Sequence, residues 1–173
     1  PWLPIALLGT AVAFMVGFKN NSAYDRMWEA RKVWGAIVNF SRAWGILVKD
    51  FITNRHALIQ LGKEELHQIH LELYRRHFAW LTALRFQLRE PKIYESIYKI
   101  HNAEFKNVYF NVEEHDHKLV DKLGVYLSQK EFDEIMSKSN KAAQIIALQS
   151  THTRQLFEQG LIDDFRHMEL EKL

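Results

Sequence analysis

Residues Phe18–Gly35 read FKNNSAYDRMWEARKVWG and follow directly on an uncharged run, Pro1–Phe18. That one stretch joins an apolar helix to a charged, tryptophan-bearing one. Within the run Thr10 is the only side chain with a hydroxyl or amide. A helix over Pro1–Phe18 rises about 27 Å at roughly 1.5 Å per residue. That is just short of the ~30 Å hydrocarbon core that about 20 apolar residues span, and one further turn upstream would complete it. The expectation is a membrane-spanning helix over residues 1–18 and a helical domain over residues 19–173. A buried core helix and a secretory signal peptide are the alternatives, the latter weakened by the lack of a basic leading region. The chain begins at Pro1 rather than Met, and Leu170 and Leu173 are still in helical phase at the other end. Both features lead us to expect a piece of a longer chain.

Periodicity inside the run adds a second layer. Gly9, Ala13 and Gly17 recur every four residues, a small-residue stripe of the kind that lets helices approach closely in lipid. Thr10, Phe14 and Phe18 form a parallel stripe about 100° further round the helix. Read from spacing alone, the two phenylalanines face lipid or a core, or else they form a hydrophobic constriction that gates a pore by dewetting.

Charge orients the helix. Lys19, Arg26, Arg31 and Lys32 follow the apolar end, and basic residues close to a span favour the cytoplasmic side. Residues 19–173 are therefore expected in the cytoplasm, although a solvated helix face has the same pattern. Formal net charge is only +2 and no basic stripe stands out, so nucleic-acid binding is unsupported. The chain has no cysteine, which excludes disulfides and thiolate metal sites and fits a reducing compartment.

Beyond the run the chain reads as almost entirely helical. Ser22 and Asp25 have capping-box-like spacing, and Met27, Ala30, Val33, Trp34, Ile37 and Val38 follow at helical intervals, predicting a helix to about Asn54. A second begins near Glu64 and is stopped by Pro91. Residues 92–120 read as short helix and loop. Ser128 and Glu131 start a short helix ending near Lys138. A last helix from Asn140 is expected to continue towards Leu173, with Gly160 tolerated inside it at about 1 kcal/mol. Long amphipathic helices bury their apolar faces by antiparallel packing, so the fold class is an all-α bundle.

The string GFKNNSAYDRMWEARKVWGAIVNFSRAWG, Gly17–Gly45, resembles the signature of the bestrophin family of ion channels, in its prokaryotic branch. RFQLRE at Arg85–Glu90 and GLIDDFRHMELEKL at Gly160–Leu173 resemble the same family in the same order. The resemblance implies a homopentamer of helical protomers around one central ion pathway, embedded in the inner membrane, with the run ending at Phe18 as the second span. It implies pore-neck positions at Thr10, Phe14 and Phe18, where Thr10 replaces the usual large aliphatic residue and leaves Phe14 and Phe18 as the drier part. Gly9, Ala13 and Gly17 would then allow neighbouring helices to approach. A second, cytoplasmic constriction is implied near Gly160, for which Ile162 and Phe165 are the candidates, ordinary packing being nearly as good an account of either. The permeating ion is a small monovalent anion such as chloride, or a monovalent cation.

Chemistry-bearing residues give no competing picture. Glu64 with His67, and Asp164 with His167, each place a carboxylate and an imidazole one turn apart, as di-metal bundles do. The further inward carboxylates such a site needs are not identifiable by spacing. His115, Asp116 and His117 fit a solvated loop better than a metal site, and Glu113, Glu114 and Asp116 are too few for a calcium-binding acidic run. No catalytic triad or phosphate loop is readable. No enzyme activity, metal or cofactor is therefore expected, and the implied partners are identical subunits, lipid and inorganic ions. A membrane-anchored helical scaffold without conduction is the alternative function.

Overall fold

The computed structural model describes residues 2–90, 114 and 117–173. It divides into two units, Pro1–Trp44 and Gly45–Leu173. The all-α expectation holds: among the described residues every regular element is helical.

Helix α1 runs without a break over Leu3–Phe51. The expected second start at Ser22 is not there. Ser22 lies inside the helix, and its carbonyl accepts the Nε–H of Arg26 at 3.2 Å. A capping spacing acts only where the backbone leaves the helical region, and nothing between Phe18 and Trp34 forces it out. Pro4 sits in the first turn, where a missing N–H costs nothing. Through residues 4–34 the large apolar side chains of α1 are exposed, among them Leu7, Leu8, Phe14, Met15, Val16, Phe18 and Trp34, whereas Trp44 at the unit's end is buried. Among the described residues no helix is long and apolar enough to cross a membrane.

The second unit is built on α2 (Lys63–Arg89). The Tyr74 hydroxyl donates to the Gly45 carbonyl at 2.9 Å, and His70 Nε2 lies 3.1 Å from the Ile52 carbonyl. Positions rising along α1 meet positions falling along α2, so the end of α1 and α2 are antiparallel. Among the described residues the next helices are α3 (Leu119–Leu123), α4 (Gln129–Met136) and α5 (Lys141–Glu158). Ala79 and Ala83 of α2 share a core cluster with Leu123, Leu127, Ile135, Ala142 and Ile145. The alanines let α5 lie close against α2, again antiparallel. The predicted capping box is present at α4: Glu131 Oε2 accepts from the Ser128 amide at 3.1 Å and from its hydroxyl at 2.7 Å. The short helix and loop expected over 92–120 fall largely outside the described residues.

The last predicted helix is two. It breaks at Gly160, and α6 (Asp164–Glu171) begins afresh with Asp163 accepting from the Arg166 amide at 2.9 Å. Gly160 has φ +75°. Its amide bonds the Phe157 carbonyl at 2.9 Å, and the Leu161 amide bonds Leu156 at 2.9 Å, the pattern that closes a helix through a left-handed glycine. A Cβ there would meet the His56 carbonyl oxygen at 2.5 Å. The reason for the close approach is the link between α1 and α2. A short 3-10 turn, Asn54–His56, brings the Leu58 amide to the Gln159 carbonyl and the Thr53 amide to the Leu161 carbonyl, both at 3.0 Å. Asn54 closes that link on itself: its amide nitrogen donates to the Leu61 carbonyl at 2.8 Å, and its amide oxygen accepts from the Leu61 N–H at 3.2 Å.

Candidate functional site

In the first unit α1 places Phe14 and Phe18 one turn apart with their rings stacked, centroids 6.5 Å apart and planes at 25°. They are 64% and 71% exposed. Thr10 lies on the same stripe and turns its hydroxyl inward, donating to the Ala6 carbonyl at 2.9 Å. That bond satisfies the only side-chain hydroxyl in the run and leaves mainly carbon facing outward. Added Cβ atoms on Gly9 or Gly17 would meet nothing within 4 Å, so the small stripe stands open and flanks the aromatic one. Contiguous exposed apolar surface on this scale marks a face that meets lipid or another chain. Beyond it, the Arg31 guanidinium lies 5.8 Å from the centroid of the Trp28 ring.

The two candidates for the second constriction separate cleanly. Ile162 is 2% exposed and belongs to the packed interior, whereas Phe165, on the first turn of α6, is 72% exposed. Of the two, Phe165 is the one with an exposed ring. The residue after it holds the helix in place. Arg166 pairs with Asp163 at 3.2 Å, stands 5.6 Å over the Phe51 ring and donates to the Phe51 carbonyl at 3.4 Å. Sequence reading passed over Arg166, because its partner Phe51 lies at the far end of the domain's sequence.

Also unforeseen is a polar cluster around one buried arginine in the second unit, with Glu72 at its half-exposed edge. Arg76 of α2 is 4% exposed. Its Nε donates to Glu131 Oε1 at 3.0 Å, its Nη2 to Glu72 Oε1 at 2.6 Å, and its Nη1 lies 2.8 Å from His152 Nδ1. The Glu72–Arg76 spacing is a visible i,i+4 pair, but the contributions of α4 and α5 are tertiary. Burial raises the Glu131 pKa, yet hydrogen bonds from Ser128 and Arg76 and the Arg76 charge outweigh it and hold the carboxyl below its usual range. Burial lowers the His152 pKa, helped by the Arg76 cation and opposed by Glu72 and Glu131. Burial likewise lowers that of His77, whose ring lies 5.2 Å from Trp80.

A second polar knot joins α5 and α6. The Thr153 hydroxyl donates to Glu171 Oε1 at 2.6 Å and Ser150 donates to Oε2 at 2.9 Å, while His167 stacks on Phe157 with centroids 5.2 Å apart. The spacings of Glu64 with His67 and Asp164 with His167 do not converge: among the described residues no group of three metal-ligating side chains is brought together. His115, Asp116 and Glu113 lie outside the described residues.

Comparison with known proteins covers the same ground. A family model described as Bacterial/Fungal Bestrophin protein matches residues 1–173. A voltage-dependent anion channel-forming protein of Ralstonia nicotianae is 52% identical over 40 residues, 23% of this chain and 13% of that protein. One of Mesorhizobium japonicum is 41% identical over 61 residues, 33% of this chain and 20% of the relative. Among solved structures, a bacterial bestrophin homolog from Klebsiella pneumoniae superposes with a TM-score of 0.72 at 21% identity, covering 99% of this chain and 50% of that one. The chain thus spans about half the length of that solved structure and less of the curated relatives it matches.

Proposed function

On the premise that this chain belongs to the bacterial and fungal bestrophin family, which matches it from end to end, we propose that it forms part of the pore-lining subunit of a homopentameric ion channel in the inner membrane. The observation that carries the reading is the stacked, exposed pair Phe14 and Phe18 on an uncharged helix surface. Five copies of that pair around an axis make a ring too apolar to hold water readily, and such a ring gates by dewetting. Thr10, its hydroxyl spent on Ala6, forms the outer, smaller ring. Gly9, Ala13 and Gly17 lie beside these positions and let neighbouring helices close in. Residues 1–18 sit in the bilayer and residues 19–173 in the cytoplasm, with Lys19 marking the boundary. Phe165, not Ile162, forms the second constriction. The relatives are named for anion conduction, so the permeating ion proposed is a small monovalent anion, and the protein works as a channel rather than an enzyme.

Full-length protein carrying this segment, reconstituted in planar bilayers, tests the reading. The reversal potential in a salt gradient is expected to follow the anion, and the double variant Phe14→Ala/Phe18→Ala is expected to conduct more and gate less steeply. Unchanged conductance and gating in that variant would remove the neck assignment. Pentamers that pass no ions at all would favour a scaffold role instead.

A further inference from the structure

The cluster around Arg76 contains one group whose role depends on a single proton. Arg76 has no lone pair to offer and stays charged at any physiological pH. At 2.8 Å from Arg76 Nη1, His152 Nδ1 must therefore be the acceptor. The imidazole is neutral, with its proton on Nε2, a tautomer assigned by the bond its other nitrogen makes. The same Nδ1 lies 3.7 Å from Glu72 Oε1, the oxygen that already receives Arg76 Nη2. The ring thus stands between a donor it meets when neutral and an acceptor it would meet when charged.

Among the described residues, the charged groups that act on the ring are Glu72 and Arg76 from α2 and Glu131 from α4. The nearby carboxylate of α6, Glu171, is engaged with Ser150 and Thr153. Adding a proton to Nδ1 turns an acceptor into a donor. The bond from Arg76 is lost, two N–H groups then face each other, and the nearest remaining acceptor is Glu72 Oε1. Taking that oxygen sets His152 in competition with Arg76 for one carboxylate.

We propose that His152 is a proton-operated switch. In its neutral form it fastens α5 to Arg76, and through Arg76 and Glu131 to α4. When protonated it passes to Glu72, draws Arg76 out of register and loosens α4 from the α2–α5 pair. The low ring pKa supports this, because burial and the Arg76 cation both favour the neutral state. The inference is independent of conduction, since every group in it lies in the second unit.

The test uses the whole chain labelled at histidine, with nitrogen shifts identifying the tautomer and amide exchange reporting the attachment of α4. At about pH 8 the His152 ring is expected as the Nε2–H form, titrating below the ordinary histidine value of about 6.5 on acidification towards about pH 5. Corrected for intrinsic rates, exchange across Gln129–Met136 is expected to quicken about tenfold over that range. His152→Asn offers an amide oxygen to Arg76 and takes up no proton in this range, so its α4 protection should stay level. His77→Gln should leave the switch working. Glu72→Gln removes a charge that raises the His152 pKa and should move the His152 titration to lower pH. A neutral ring carrying its proton on Nδ1, equal acid loss of α4 protection in His152→Asn, or an unmoved titration in Glu72→Gln would each overturn the proposal.

Discussion

A single methyl group is expected to cost the second unit more than most side-chain deletions when it is placed on Gly160. The residue has φ +75°, and a Cβ would meet the His56 carbonyl oxygen at 2.5 Å. Strain of this kind costs about 1–3 kcal/mol, so Gly160→Ala should lower the thermal midpoint clearly. An unchanged midpoint would mean that the turn is not built this way. The glycine is plain in the sequence, but its role is not: inside a run of helix formers it reads as a tolerated interior residue. What makes it obligatory is a backbone oxygen from the link between α1 and α2, distant in sequence and invisible to local periodicity. Ile162 and Phe165 teach the same lesson. Both are apolar residues in a polar stretch, and only the new start of α6 after Asp163 sends one inward and leaves the other outside.

Among the elements, α4 is short enough to depend on its cap. Ser128 holds Glu131 through its amide and hydroxyl, and Glu131 in turn holds Arg76. Ser128→Ala should therefore destabilise the fold by about 1 kcal/mol, read as a lower denaturant midpoint with an unchanged slope. A loss indistinguishable from zero would show that Arg76 alone positions Glu131. This cap was legible from its spacing, whereas the similar spacing at Ser22 and Asp25 misleads. A cap signal is permissive and ends nothing; α1 runs through it because neither proline nor a competing tertiary bond interrupts the backbone. The two small and aromatic stripes were legible for the opposite reason, since along an uninterrupted helix the face of each residue follows from its position. The Arg76 cluster was not legible, because its four members come from three helices.

For the molecule as a whole, these groups set how stability responds to pH. His77 and His152 have pKa values lowered by folding, so the unfolded chain binds protons that the native state refuses. Their contribution is present above the ordinary histidine value of about 6.5 and is lost as pH falls from there through the lower folded values. The Glu131 pKa is also lowered, and its contribution is lost later, as pH falls through the folded value. Tyr74 acts with the opposite sign: burial, then Asp50, raises its pKa, so its contribution is lost as pH rises past about 10. Thermal midpoints recorded across this range should peak near neutral to mildly alkaline pH and fall in two stages on acidification. A midpoint that climbs between about pH 7 and about pH 5 would contradict the neutral state of these half-buried histidines.

Loss of the Asn54 side-chain amide would reach the link between α1 and α2. Its side-chain amide behaves as a length of backbone, giving one hydrogen bond to Leu61 and taking one back. Slow hydrolysis to a carboxylate would leave the accepting oxygen in place and exchange the donating nitrogen for a second oxygen, set against the Leu61 carbonyl. A change almost without mass would turn a clasp into a repulsion, in the link that braces the turn at Gly160. Asn54→Asp makes the same exchange directly and should lower the thermal midpoint; an unchanged midpoint would show that the clasp contributes little.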